Sequence, residues 1–343
     1  VSNKPSNAQD PITIPYTVPA DLIDSMNSMR HPVIVAHVRP DADALASMIA
    51  VALGWRRNEI TPKVALPEGS LSQRLGFMFD MAKVPVATAA DFAQADGFIA
   101  VDTAKQPRCN VPPELKNKDW PAGRPIVNID HHGTNTLFGQ YNWVEPEASS
   151  TAELIYHLLR AAGKAIDRTM ASLLFAGIHA DTSGFALSNT TASSLQAASE
   201  LVQLGADVAE IGERLCHSQT RSLFDLLRVI YANTKVLADG RLAYSTASYD
   251  EIIGSGCTAA DIDDQVDVVR SLDGVQLAML FTEGVPGKTR INFRGSGPVT
   301  VVDLAAKFKG GGHQRAAGAV INGSLLEVVH RVIPEAIEHL NRF

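Results

Sequence analysis

Between His31 and about Ile178, short β-rich apolar runs alternate with helical stretches, and no other feature constrains the fold of this chain as strongly. Such alternation is the signature of βαβ units, so it predicts an α/β, doubly wound, mostly parallel sheet. The strands are expected over Val33–His37, Lys63–Leu66, Phe98–Asp102 and Ile126–Asp130, each a brief apolar run closed by a polar residue or nearly so. The helices are expected over Ala44–Arg56, Thr151–Ala162, Thr169–Ile178 and Ser193–Leu204. Three of the four strands end in His or Asp. In open parallel sheets ligands bind beyond the carboxyl ends of the strands, which makes those polar residues better placed for chemistry than for packing.

The texture changes further along. Glu210–Ala232 predicts one or two helices, followed by a hairpin of Thr234–Ala238 and Leu242–Thr246 turned at Asp239-Gly240. A helix over Ala259–Leu272, strands over Val275–Phe281 and Lys288–Phe293, a helix over Val301–Phe308, a glycine cluster, a short strand and a final helix complete a smaller, mixed α/β domain. The expected division is a loose leader over 1–20, a catalytic domain over 21–215, a helical linker over 216–235 and a second domain over 236–343.

Length and composition agree with two domains. The 343 residues exceed what one core usually absorbs, and 45% hydrophobic with 20% charged residues is a globular composition. No run of eighteen apolar residues occurs and the start of the chain carries no charged-then-apolar signal pattern, so a soluble protein away from membranes is expected. Cys109, Cys216 and Cys257 are too few and too scattered for a disulfide framework or a CxxC zinc site, which points to the cytoplasm. A net charge of −7 excludes a protein that coats long duplex nucleic acid, because such binding rests on basic surface. Pairing of the chain into a homodimer is left open.

Four stretches carry candidate chemistry. His37-Val-Arg-Pro-Asp41-Ala-Asp43 lies where a strand gives way to a helix, and its aspartates either cap that helix or face a ligand. Asp102 closes the run Phe98–Val101, as a turn residue or as a ligand. Asp130-His131-His132 follows Ile126–Ile129, and an acid with two histidines at a strand end has little structural purpose. Asp181 ends an apolar helix, where the helix dipole favours a basic group, so an acid there asks for a cation. His179, two residues earlier, is expected to be a satisfied or supporting histidine. Carboxylates and imidazoles without thiolates suit Mn²⁺ or Mg²⁺ better than structural zinc, and histidine among the acids tilts the choice to Mn²⁺. Crowded aspartates would repel unless about two divalent cations compensate them.

These residues resemble the DHH phosphoesterase superfamily, whose four motifs appear in order as AHVRPDADAL, AVDTA, NIDHHGTN and GIHADTSGF. The resemblance implies that His37, Asp41 and Asp102 hold one ion and that Asp43, Asp102, His131 and Asp181 hold another, with Asp102 between them. It implies that His132 faces the substrate phosphate and that Asp130 orients its neighbours. The C-terminal part resembles the DHH-associated substrate domain of RecJ-like and nanoRNase-like members through Arg290-Ile-Asn-Phe-Arg294 and Gly310-Gly311-Gly312-His313. A glycine cluster lets backbone N–H groups approach a phosphate, and Arg294 and His313 add charge-assisted donors; the alternative is a turn that merely joins helix and strand. Ala42, Lys309 and Gly295 depart from the family pattern, the last two in the part that selects substrate.

The resemblance implies a two-metal phosphoesterase in which a metal-activated hydroxide attacks phosphorus in line. Its substrates would be short single-stranded RNA, 3′-phosphoadenosine 5′-phosphate, or linear or cyclic dinucleotides. Two other readings compete: a RecJ-type single-strand exonuclease, which calls for a basic channel that this acidic chain lacks, and a metal-bound nucleotide sensor without turnover.

Overall fold

The computed structural model describes residues 16–57, 60–67, 71–112, 115, 120–121, 123–258, 261–262, 265–312 and 314–343. Most of the expected leader, parts of the expected helix over Ala259–Leu272, and His313 lie outside the described residues. The chain forms two compact units, one running to Ile211 and one from Gly212, with 67–77 and 132–134 belonging to the second.

The first unit contains α1 (Ala20–Ser28), β1 (Pro32–Val35), α2 (Ala42–Gly54), β2 (Lys63–Val64), most of α3 (Gly76–Ala82), α4 (Ala89–Gln94), β3 (Gly97–Val101), β4 (Ile126–Asp130), β5 (Tyr141–Val144), α5 (Thr151–Ala161), α6 (Arg168–Asp181), α7 (Ala192–Gln203) and most of α8 (Val208–Gly212). Its five strands are all parallel, in the order β2-β1-β3-β4-β5. The order reverses between β1 and β3, which makes their carboxyl ends the switch point where a doubly wound sheet opens a crevice. The strand β5 was not expected, because Tyr-Asn-Trp-Val at a sheet edge is half-exposed and forms no apolar run. Tyr16, in the stretch expected to be loose, is buried with its ring 5.6 Å from that of His157.

Both faces of this sheet are covered. Val33, Val35, Phe98, Ala100 and Ile126 pack with Phe92 of α4 on one face, and the alternate residues Ile34, Ile99 and Val127 point to the other. α2 is apolar around nearly its whole circumference and is accordingly buried from Ala42 to Ala52. It packs against α5 and α6, and Gly177 of α6 permits the close approach. A Cβ at Gly177 would stand 2.5 Å from the Ala152 Cβ, 3.0 Å from the Ala46 Cβ and 3.1 Å from Asp43 Oδ1.

The second unit contains α9 (Arg221–Ala232), β6 (Lys235–Leu237), β7 (Leu242–Ala247), α10 (Tyr249–Ser255), α11 (Val266–Arg270), β8 (Leu277–Val285), β9 (Lys288–Gly295), α12 (Val302–Lys307), β10 (Gly311–Gly312), β11 (Ala316–Asn322) and α13 (Leu325–Leu340). Its sheet runs β10-β11-β9-β8-β7-β6, with β7 and β8 parallel and the other pairs antiparallel. Strand periodicity divides the core. Leu242, Leu277, Met279 and Phe293 pack with Val328, Val332 and Leu340 of α13, whereas Ala243, Ala278 and Leu280 pack with Leu223, Leu226 and Ile230 of α9. The helix placed by sequence in a linker therefore contributes its apolar face to the core of this unit, which gives it a tertiary reason to form. Among the described residues no helix is long and apolar enough to cross a membrane.

Gly177→Ala should overpack the junction of α2, α5 and α6 and destabilise the first unit by about 1–3 kcal/mol. Denaturant unfolding checks this; a midpoint equal to that of the parent would show that the helices can separate freely.

Candidate metal centre

The candidate ligands sit on loops at the carboxyl ends of β1, β3 and β4 and at the ends of α2 and α6. Asp41 is the N-cap of α2, so the capping and ligand readings of the first motif are not exclusive. Its Oδ1 accepts from Ala44 N at 3.0 Å while its Oδ2 lies 3.7 Å from His37 Nε2. Asp43, one residue into the helix, points across to the N-terminus of α5, where Oδ2 accepts from Thr151 N at 2.8 Å and Oδ1 from Ala152 N at 2.7 Å. Asp102, just past β3, accepts from the Thr151 hydroxyl at 3.0 Å. Its two oxygens lie 3.3 Å from His37 Nε2 and 3.7 Å from His131 Nε2. Asp181, the last residue of α6, stands 3.6 Å from His131 Nε2.

Three groups of side chains have ligand atoms within 4.8 Å of one another: His37, Asp41 and Asp102; Asp43, His131 and Asp181; and Asp102, His131 and His132. Asp102 and His131 each belong to two groups, so the clusters adjoin. Asp130 is in none of them; it is fully buried and accepts from Asn135 Nδ2 at 2.6 Å. His179 is in none either, and its ring forms a triangle with those of Phe175 and Phe185, at 5.9 and 6.1 Å, the two phenylalanine rings being 6.2 Å apart.

The tautomers suit ligation. His131 Nδ1 is 3.3 Å from the Ala148 carbonyl and His37 Nδ1 is 3.1 Å from the Val38 carbonyl. A carbonyl only accepts, so each Nδ1 carries hydrogen and each Nε2 is the atom turned to the carboxylates. The electrostatics call for added positive charge. Burial, together with the Asp102, Asp181 and Asp41 charges, pushes the Asp43 carboxyl well above its usual range even though the Ala152 N–H opposes the shift. Burial disfavours a charged His37, yet the Asp102 and Asp41 carboxylates outweigh it and hold the imidazole well above its ordinary value. For the half-exposed Asp41, burial works upward but the hydrogen bond and charge of His37 carry it below the usual value. Oxygen and imidazole donors in this arrangement fit divalent cations.

The backbone is strained around the same spot. Arg39, Asp102, Ser183 and Phe185 adopt φ values of 56°, 51°, 46° and 65°, each costing about 1–3 kcal/mol for a residue other than glycine. Asp102 thereby turns sharply off β3. Thr151, Asn135, Asn189 and the Ala148 carbonyl, all in contact with candidate residues, were missed in the sequence. Two had a visible signal: Asn135 closes the motif NIDHHGTN, and Thr151 lies in the Ser150-x-x-Glu153 pattern that starts a helix.

In the second unit, Arg294 is mostly buried and lies 3.5 Å from Asp267 Oδ1. The glycines of the cluster are not equivalent. A Cβ at Gly310 would meet the Gly318 carbonyl at 2.2 Å and one at Gly312 the Ala316 carbonyl at 2.5 Å, whereas at Gly311 nothing lies within 4 Å. Packing accounts for Gly310 and Gly312 but not for Gly311. Gly295 also has a packing reason, since a Cβ there would meet the Val299 carbonyl at 2.1 Å. Lys309 takes the left-handed conformation, φ 58°, that a glycine would hold without strain.

Residues 32–178 match the DHH family, N-terminal domain, and residues 239–343 match the DHHA1 domain. The chain is 30% identical over 309 residues to the bifunctional oligoribonuclease and PAP phosphatase NrnA of Bacillus subtilis, covering 88% of this chain and 92% of that protein. It is 29% identical to the protein of the same name from Thermus thermophilus, covering 92% and 93%. The crystal structure of an exopolyphosphatase-related protein from Bacteroides fragilis superposes with a TM-score of 0.80 at 24% identity, covering 93% of this chain and 96% of that one. With both family domains in order and a relative of this identity matched almost end to end, the chain belongs to the DHH family of phosphoesterases.

Proposed function

We propose that this phosphoesterase uses two Mn²⁺ ions to hydrolyse short oligoribonucleotides and small nucleotides such as 3′-phosphoadenosine 5′-phosphate. The observation that carries the reading is the pair of adjoining ligand groups that meet through Asp102 and His131. In it His37, Asp41 and Asp102 hold one ion and Asp43, Asp102, His131 and Asp181 the other. The names of the Bacillus and Thermus relatives support the substrate class. Three free cysteines are in keeping with a reducing compartment such as the cytoplasm.

When bound, the ions would supply Lewis acidity and a nucleophile from water at neutral pH. His132 is the group we assign to a substrate phosphoryl oxygen, donating a hydrogen bond as charge builds there. Asp130, holding Asn135, keeps the loop that carries both histidines in place. Arg294, Gly310, Gly311, Gly312 and His313 are the proposed substrate-binding set, with Gly311 the position whose lack of a side chain leaves room for a phosphate. The acidic net charge weighs against a RecJ-type enzyme acting on long strands.

With Mn²⁺ and labelled di- to pentaribonucleotides, the protein should release mononucleotides, and EDTA should abolish the release. Asp102→Ala should lower turnover by at least about a hundredfold, because it removes a donor from both sites. His179→Ala should retain most activity. Turnover that persists in EDTA and in Asp102→Ala would sink the metal reading. Gly311→Ala should raise KM with little change in thermal stability, a combination that a purely structural glycine would not produce.

Proton linkage gives an independent test. The stabilising contributions of protonated Asp43 and His37 are complete below their unfolded values, 3.8 and 6.5, and are lost as pH rises through the raised folded values. Asp41 is shifted the other way, so its contribution is constant above its unfolded value of 3.8. The metal-free protein should therefore lose thermal stability as pH rises across neutrality, and the gain on adding Mn²⁺ should grow. Mn²⁺ uptake in weak buffer at pH 7 should release protons; uptake without acidification would contradict this charge balance.

A further inference from the structure

Within the five-residue segment Ala148–Ala152, Ala148, Thr151 and Ala152 touch three of the six candidate ligands. The Ala148 carbonyl faces His131 Nδ1 at 3.3 Å, the Thr151 hydroxyl donates to Asp102 at 3.0 Å, and Thr151 N and Ala152 N donate to the two oxygens of Asp43 at 2.8 and 2.7 Å. A shift of this segment would move all three ligands together.

The segment is itself held by Glu153. Its Oε2 accepts from Ser149 N at 2.8 Å, and its own N–H donates to Ser150 Oγ at 3.1 Å. From the other side Asn189 Nδ2 donates to the Ser149 carbonyl at 2.9 Å. Glu153 is fully buried, a position that a carboxyl group rarely takes without a strong partner. His157 Nε2 is 3.9 Å away, beyond hydrogen-bonding distance, and burial lowers the affinity of that ring for a proton. Glu153 Oε1 meets no hydrogen-bond partner in good geometry among the described residues, and the Tyr16 phenol is a polar group that it interacts with. Burying this group is costly for stability alone, and its well-formed side-chain bond goes to the one backbone N–H that sets the path into α5.

We propose that Glu153 is a positioning residue for the metal centre: by fixing the Ser149 N–H it sets the backbone of 148–152, and through it the aim of Asp43, Asp102 and His131. The inference rests on the metal-centre reading above. It requires an acceptor at this position rather than bulk, since the role is to receive one N–H.

The test is Mn²⁺ affinity, read from the electron paramagnetic resonance signal of free Mn²⁺ during titration of the parent protein, Glu153→Gln and Glu153→Leu, with circular dichroism confirming that each is folded. The carboxamide oxygen of Gln can still accept, so Glu153→Gln should bind within about threefold of the parent. Leu has similar volume and no acceptor, so Glu153→Leu should bind about 10–100-fold more weakly, the range seen when groups behind a metal ligand are lost. If Leu does not fold at this position, Glu153→Met, unbranched and equally without an acceptor, makes the same comparison. Parent-like affinity in the Leu or Met variant overturns the proposal, as does a Gln variant as weak as they are. If the parent takes up no Mn²⁺, it is the metal-centre reading that fails, taking this proposal with it.

Discussion

Four aspartates converge where parallel strands end, and their mutual repulsion is the constraint to which the rest of the first unit answers. Two unit charges 4 Å apart interact by about 4 kcal/mol at the effective dielectric of a protein surface, whereas one hydrogen bond to a charged group contributes about 1.5–3 kcal/mol. Hydrogen bonds to Asp43 and Asp102 therefore offset this repulsion in part. Burial and the neighbouring carboxylates favour a protonated Asp43, and the Asp102 and Asp41 carboxylates favour a protonated His37 against the cost of burial.

The surrounding packing serves the same end. Gly177 lets α6 approach α2 and α5 closely enough to leave Asp43 Oδ1 with its Ala152 N–H donor from α5. The N-terminus of α5 supplies donors to two aspartates, and the strained turns at Asp102 and Ser183 redirect the chain beside the ligands. Packing contacts and contacts to the candidate ligands are thus made by the same residues, so a substitution behind the aspartates acts on both the packing and the aim of these side chains.

The second unit answers to a different constraint. Gly295, Gly310, Gly312 and the left-handed Lys309 stand where backbone passes close to backbone or turns sharply, and at Gly295 it is the chain around Val299 that fills the space. Gly311 alone among the cluster has open space beside it. That separates, within one short motif, the glycines that packing explains from the one that it does not.

Much of this was legible in the residues. The apolar runs ending at His37, Asp102 and Asp130, with helices between them, already implied a parallel sheet with polar side chains at its carboxyl ends, because strand and helix periodicities are local properties. The DHH motifs likewise named the candidate ligands. The edge strand Tyr141–Val144, the place of α9 in a core, and the contacts of Thr151, Asn135, Asn189 and Glu153 were not legible, because each depends on partners distant in sequence. Local pattern determines which residues can form a strand end or cap a helix; only the tertiary fold decides which backbone N–H a buried carboxyl meets, and hence where the ligands point.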